Sequence, residues 1–82
     1  MKKKAYLYIK NDNVNTYETV IHALMVICGH NTYQAEQCAN IIDGTGEYCV
    51  DHGPIYELRE KCVEMLHLGI DAEIRYQTPK KN

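Results

Sequence analysis

The stretch YLYIKNDNVNTYETVIHAL, Tyr6 to Leu24, decides the fold. Ala5, Leu7 and Ile9 alternate with Tyr6, Tyr8 and Lys10, the period of a half-buried strand. The run then breaks into Asn11-Asp12-Asn13. Beyond the break the period changes. Val20, Ala23, Leu24, Ile27 and Cys28 recur at helical spacing as one apolar stripe, which predicts a helix from about Thr16 to Cys28. Asn15 and Glu18 match the N-x-x-E capping box at its start. Gly29 is the stop signal. Asn and Asp commonly make turns and caps at such a junction. They are also oxygen acceptors held on a tight loop, and Asp12 could supply the carboxylate that a cation needs beside a helix N-terminus.

Working outward, a second helix starts after Asn31, with Gln34 as its capping partner. Its stripe, Ala35, Cys38, Ala39 and Ile42, is narrow and built of mostly small residues. The Asp43-Gly44-Thr45-Gly46 segment reads as the turn that ends it. Glu47 to Asp51 is a short strand with Tyr48 and Val50 on one face, and His52-Gly53-Pro54 reads as a turn. Pro54 suits the first position of a third helix, whose buried stripe is Ile55, Leu58, Cys62, Met65 and Leu66. Gly69 ends it, and Ile70, Ala72, Ile74 and Tyr76 alternate with polar residues as a last strand. The expected order is βααβαβ, an α+β sandwich with the helices on one face of a three-stranded sheet. One domain spans residues 1–82, with a core of about 5–76 and flexible tails at 1–4 and 77–82.

Composition narrows the function. With 82 residues the core is modest. A net charge of -2 gives no general attraction to nucleic acid or an anionic membrane. Lys2 to Lys4 and Lys80-Lys81 read as solubilising ends. The first apolar segment is too short for a signal peptide and no cleavage site follows it, so a cytoplasmic chain is expected. Seven tyrosines carry all the aromatic mass. Cys28, Cys38, Cys49 and Cys62 contain no C-x-x-C pair and read as core thiols. Histidines stand near two of them, in Cys28-x-His30 and Cys49-x-x-His52, without the spacing of a zinc site. No metal and no cofactor are expected. Phosphate-loop, nucleophile-elbow and zincin motifs are absent from the sequence, so an enzyme is not expected. His22, His30, His52 and His67 are placed on helix surfaces or in turns.

The order of elements and these residues together resemble the ClpS family, adaptors of the ATP-dependent Clp protease. The resemblance opens with KNDN-VNTYETVIHAL and continues through QAEQCANIIDGTGEYCV and YELREKCVEML, about residues 5–76. The matching positions are Asn11, Asp12, Asn13, Glu18, Asp43, Gly46, Glu57 and Lys61. The resemblance implies a three-stranded antiparallel sheet with three helices on one face, similar to the C-terminal domain of the ribosomal stalk protein. It also implies a non-catalytic adaptor of N-end-rule proteolysis. Such an adaptor binds the free N-terminus (the N-degron) of proteins that begin with Leu, Phe, Tyr or Trp. Its other partner is the N-terminal domain of the AAA+ unfoldase, and a monomer is the family default. An extended segment ahead of the first strand takes part in delivery in the family. Only Met1 to Lys4 precede the strand in this sequence, which implies poor delivery.

Carried over by position, Asn11, Asp12, Asn13 and Asp43 would form the site for the substrate's α-amino group. Asn15 would lie at the pocket rim, Tyr17 at the gate, and Ala39 and Ile42 in the side-chain pocket. The departures from the family are specific. Asn13 replaces an acid, Asp43 replaces a histidine and Tyr17 replaces a methionine. Tyr17 narrows the pocket where Ala39 widens it. These changes leave a second reading, a protein-binding module of the same fold whose pocket Tyr17 fills; a third, of a different class, is a small thiol- or metal-dependent enzyme in which at least two cysteines converge with a histidine.

Overall fold

A computed structural model describes residues 4–12 and 16–76. Asn13, Asn15 and the tails, apart from Lys4, lie outside the described residues. The elements are β1 (Lys4–Lys10), α1 (Tyr17–Cys28), α2 (Thr32–Thr45), β2 (Glu47–Pro54), α3 (Ile55–His67) and β3 (Ala72–Tyr76). This is the expected βααβαβ order. The sheet runs β2-β1-β3, and both pairings are antiparallel.

The alternation in β1 explains why the layers form. Ala5, Leu7 and Ile9 are fully buried, and Tyr6, Tyr8 and Lys10 are only half-buried on the other face. Leu24 from α1, Ala35 and Ile42 from α2, and Leu58 and Met65 from α3 join the inward row in one cluster. Each large side chain so buried contributes roughly 1.5–3 kcal/mol of transfer free energy. Among the described residues no polar or charged side chain is buried. Cys38 and Cys62 enter the core as expected, whereas Cys28 and Cys49 are only half-buried.

The other face of the sheet carries charge. Arg75 donates to both carboxylate oxygens of Glu47, at 2.8 and 2.7 Å. It also bonds Glu73, which Lys10 meets at 3.1 Å. The guanidinium lies over the Tyr8 ring, 4.0 Å from its centroid. These hydrogen bonds hold the carboxyls of Glu47 and Glu73 below the usual carboxylate range.

Four local expectations are corrected. The N-cap of α1 is Thr16, not Asn15, and its side chain accepts from the Thr19 backbone at 3.1 Å. Asn15, the first member of the expected capping box, lies outside the described residues. The Asp43-Gly44-Thr45 segment is the last turn of α2 and not a separate turn. Gly46 ends the helix in the left-handed region, at φ 98°. His52-Gly53-Pro54 continues β2 instead of turning, and Pro54 is the N-cap of α3. Finally, β3 starts at Ala72, although Ile70 is buried as its stripe predicted.

A bulge accounts for the length of β2. Leu7 pairs with Asp51 and Tyr8 with Cys49, which leaves Val50 as the extra residue. The bulge sets Asp51 opposite an inward residue of β1, on the helix side. There Lys61 of α3 meets it at 2.5 Å. His52 falls opposite Tyr6 on the other face, with ring centroids 6.0 Å apart.

Candidate functional site

The end of β1 is held in place by backbone bonds on both sides. Lys10 N–H donates to Asp71 O at 2.9 Å, and Asn11 N–H donates to Gly46 O at 2.7 Å. Asn11 is thereby joined to the C-terminus of α2. Asp12 follows it, half-buried. After the segment outside the described residues, Thr16 caps α1 and brings Tyr17 and Val20 alongside. From α2, Ala39, Ile42 and Asp43 share one face at helical spacing.

These pieces surround one pocket of about 170 Å³, lined by Asn11, Asp12, Thr16, Tyr17, Val20, Ala39, Ile42 and Asp43. Six of the eight residues singled out in the sequence meet there. The other two, Asn13 and Asn15, are outside the described residues. Ala39 and Ile42 are each 3% exposed and form an apolar floor. Asn11 and Asp43 are exposed at the mouth.

The side-chain charge of the described residues around this pocket has one sign. Asp12 and Asp43 contribute carboxylates, and no lining side chain is basic. The C-terminus of α2 adds the negative end of a helix dipole, and its last turn contains no basic residue. An acid in the last turn of a helix is electrostatically unfavourable for the helix itself. The positive N-terminus of α1 adjoins the same space and offsets part of the field. The sum favours a cation with several donors at the mouth and an apolar group on the floor.

Tyr17 does not fill this space. Its hydroxyl donates to Asn40 Oδ1 at 2.8 Å, with the Glu36 carbonyl 3.4 Å away. The bond spans from α1 to α2 along the pocket wall. Three participants went unread in the sequence: Thr16, Val20 and Asn40. Val20 and Thr16 are one helical turn apart, so the α1 stripe contained the signal for both. Asn40 is an exposed polar residue on a helix, which no pattern distinguishes.

A second, shallower groove of about 430 Å³ between α2 and β2 gathers His30, Cys38, Cys49 and His52. Among the described residues, no three His, Cys, Asp or Glu side chains converge as a metal site. Burial pushes the Cys38 and Cys49 thiols up, which works against the thiolate that nucleophilic chemistry needs. No described helix is long and apolar enough to cross a membrane.

The chain is thus a βααβαβ sandwich with an acid-rimmed pocket at the end of its central strand. Residues 1–73 match the family described as ATP-dependent Clp protease adaptor protein ClpS, and the chain belongs to the ClpS family. In fold it is similar to ClpS2 of Agrobacterium tumefaciens, a structure bound to L-phenylalaninamide. The TM-score is 0.89 at 14% identity, over 94% of this chain and 100% of that one. No curated protein sequence matches the chain.

Proposed function

We propose that this protein is a non-catalytic adaptor that binds the free N-terminal residue of substrate proteins. It presents them to the N-terminal domain of a Clp-type AAA+ unfoldase. The observation that carries the reading is the pocket itself. Asn11, Asp12 and Asp43 put oxygen acceptors at the mouth of a cavity whose floor is Ala39, Ile42 and Val20. An α-ammonium has three donors and one charge, and it suits that mouth. A bulky apolar side chain suits the floor. An apolar cavity of about 150 Å³ holds a benzene ring, so 170 Å³ is room for one leucine or phenylalanine side chain.

L-phenylalaninamide, the ligand of the Agrobacterium tumefaciens protein, carries the same two groups, a free amine beside an apolar ring. Asp43 takes over from the family histidine in this reading. A carboxylate accepts through two oxygens and adds charge, which makes up for the acid replaced at Asn13. The cytoplasm is the compartment in which such an adaptor would work.

The test is Asp12→Ala in a peptide titration. A charge-assisted contact is worth roughly 1.5–3 kcal/mol, so a peptide beginning with Phe should bind at least tenfold more weakly. Asp43→His should keep binding, because it restores the family residue. An unchanged affinity in Asp12→Ala would refute the assignment of the amine site.

A further inference from the structure

We propose that Asn40 is a positioning residue that holds the Tyr17 ring off the pocket, so that the protein does not occlude its own binding site. The argument starts from Tyr17. It is the first residue of α1, its side chain lines the pocket, and the residue is 43% exposed. Next to that half-exposed ring lies a half-open pocket, polar at its mouth and floored by Val20, Ala39 and Ile42. Apolar ring surface beside an uncovered apolar floor is drawn onto it, and the pocket, at about 170 Å³, has room for a benzene-sized ring. A tyrosine at this position is thus a plug carried in the chain.

The phenol hydroxyl opposes that movement. Its one proton goes to Asn40 Oδ1 at 2.8 Å, a bond of good length. Turning the ring onto the Val20, Ala39 and Ile42 floor would break this bond, and no acceptor is offered by those three side chains. The tether and the open cavity therefore go together. The tether's consequence for substrates rests on the proposed function; its effect on the cavity does not.

The experiment uses benzene as an apolar probe and the methyl resonances of Val20 and Ile42 as reporters, on the full chain. Wild type should show methyl shifts that saturate with benzene. Tyr17→Phe keeps the ring and loses the tether, and Asn40→Ala loses the nearer acceptor, leaving only the Glu36 carbonyl at 3.4 Å. Each should weaken benzene entry about threefold to tenfold, the factor that one neutral hydrogen bond commands. The double variant should be no weaker than either single, because both remove the same bond. Tyr17→Ala removes the plug and should restore entry, which separates occlusion from a damaged fold. Equal entry in wild type, Tyr17→Phe and Asn40→Ala would overturn the proposal, as would no entry into wild type. A peptide beginning with Phe is titrated in parallel. Benzene entry that depends on the tether, without peptide binding, would refute the N-terminal reading and uphold the tether.

Discussion

Two glycines separated by one residue should respond to alanine with opposite signs. Gly44 lies inside the last turn of α2 with ordinary helical backbone, and a Cβ added there meets nothing within 4 Å. Gly46 has equally open space, but its φ is 98° and its ψ is -22°. Sterics with neighbours therefore drop out, and only backbone conformation differs. Alanine in place of a helical glycine gains about 0.5–1 kcal/mol. A non-glycine residue forced left-handed loses about 1–2 kcal/mol, offset in part by the stiffer unfolded chain. For a domain of this size, 1 kcal/mol moves Tm by about 4–8 °C. Gly44→Ala should thus raise Tm by roughly 2–8 °C, and Gly46→Ala should lower it by several degrees. Thermal unfolding followed by far-UV circular dichroism reads both. A lower Tm for Gly44→Ala would refute the helical assignment and restore the turn that the sequence suggests. The pair also bears on the pocket, because Gly46 O is the acceptor that fixes Asn11, at 2.7 Å.

Two further predictions concern pH. Burial pushes the Cys28 thiol from 9.0 to about 12. Because burial disfavours the thiolate, this group leaves stability unchanged below the unfolded pKa and lowers it as pH rises from about 9 towards 12. Urea midpoints should fall more steeply with alkaline pH in wild type than in Cys28→Ala, and parallel curves would show that this thiol plays no part. On the acid side, the hydrogen bonds of Arg75 hold Glu47 and Glu73 below the usual carboxylate range. Their contribution is present above the unfolded carboxylate pKa and disappears as pH falls through the folded values. The stability gap between wild type and Arg75→Gln should therefore be open at neutral pH and close in acid. A gap independent of pH would contradict it.

Much of the fold could be read because the two hydrophobic periods are clean. Leu7 and Ile9 against Tyr6 and Tyr8 leave no choice but a strand, and Val20, Ala23 and Leu24 none but a helix. The errors fall where tertiary structure overrides local chemistry. Asp43, Gly44 and Thr45 have poor helix propensity, yet the helix runs through them. Thr45 Oγ1 lies 2.7 Å from the Ile41 carbonyl and Gly46 supplies the left-handed exit. His52-Gly53-Pro54 resembles a turn, but pairing with β1 beyond the bulge extends it as strand. Asn15 and Thr16 are both good caps, and composition alone does not separate neighbours of equal merit.

The pocket became legible only through the family resemblance. Nothing in the spacing of Asp12 and Asp43 says that they share a rim. That closeness comes from the Asn11–Gly46 bond, which ties a strand end to a helix end far along the chain. Tyr17 could be flagged as bulky, but the direction of its ring depends on Asn40, across the α1–α2 contact.

The most direct test of the account is fluorescence anisotropy with one labelled peptide in two forms, beginning with Phe and carrying either a free or an acetylated amine. Acetylation removes the charge and two donors and leaves the side chain untouched. The account predicts binding of the free form and at least a tenfold loss on acetylation, in line with a charge-assisted contact of roughly 1.5–3 kcal/mol. Equal affinity for the two forms would contradict it, because Asn11, Asp12 and Asp43 would then have no amine to hold.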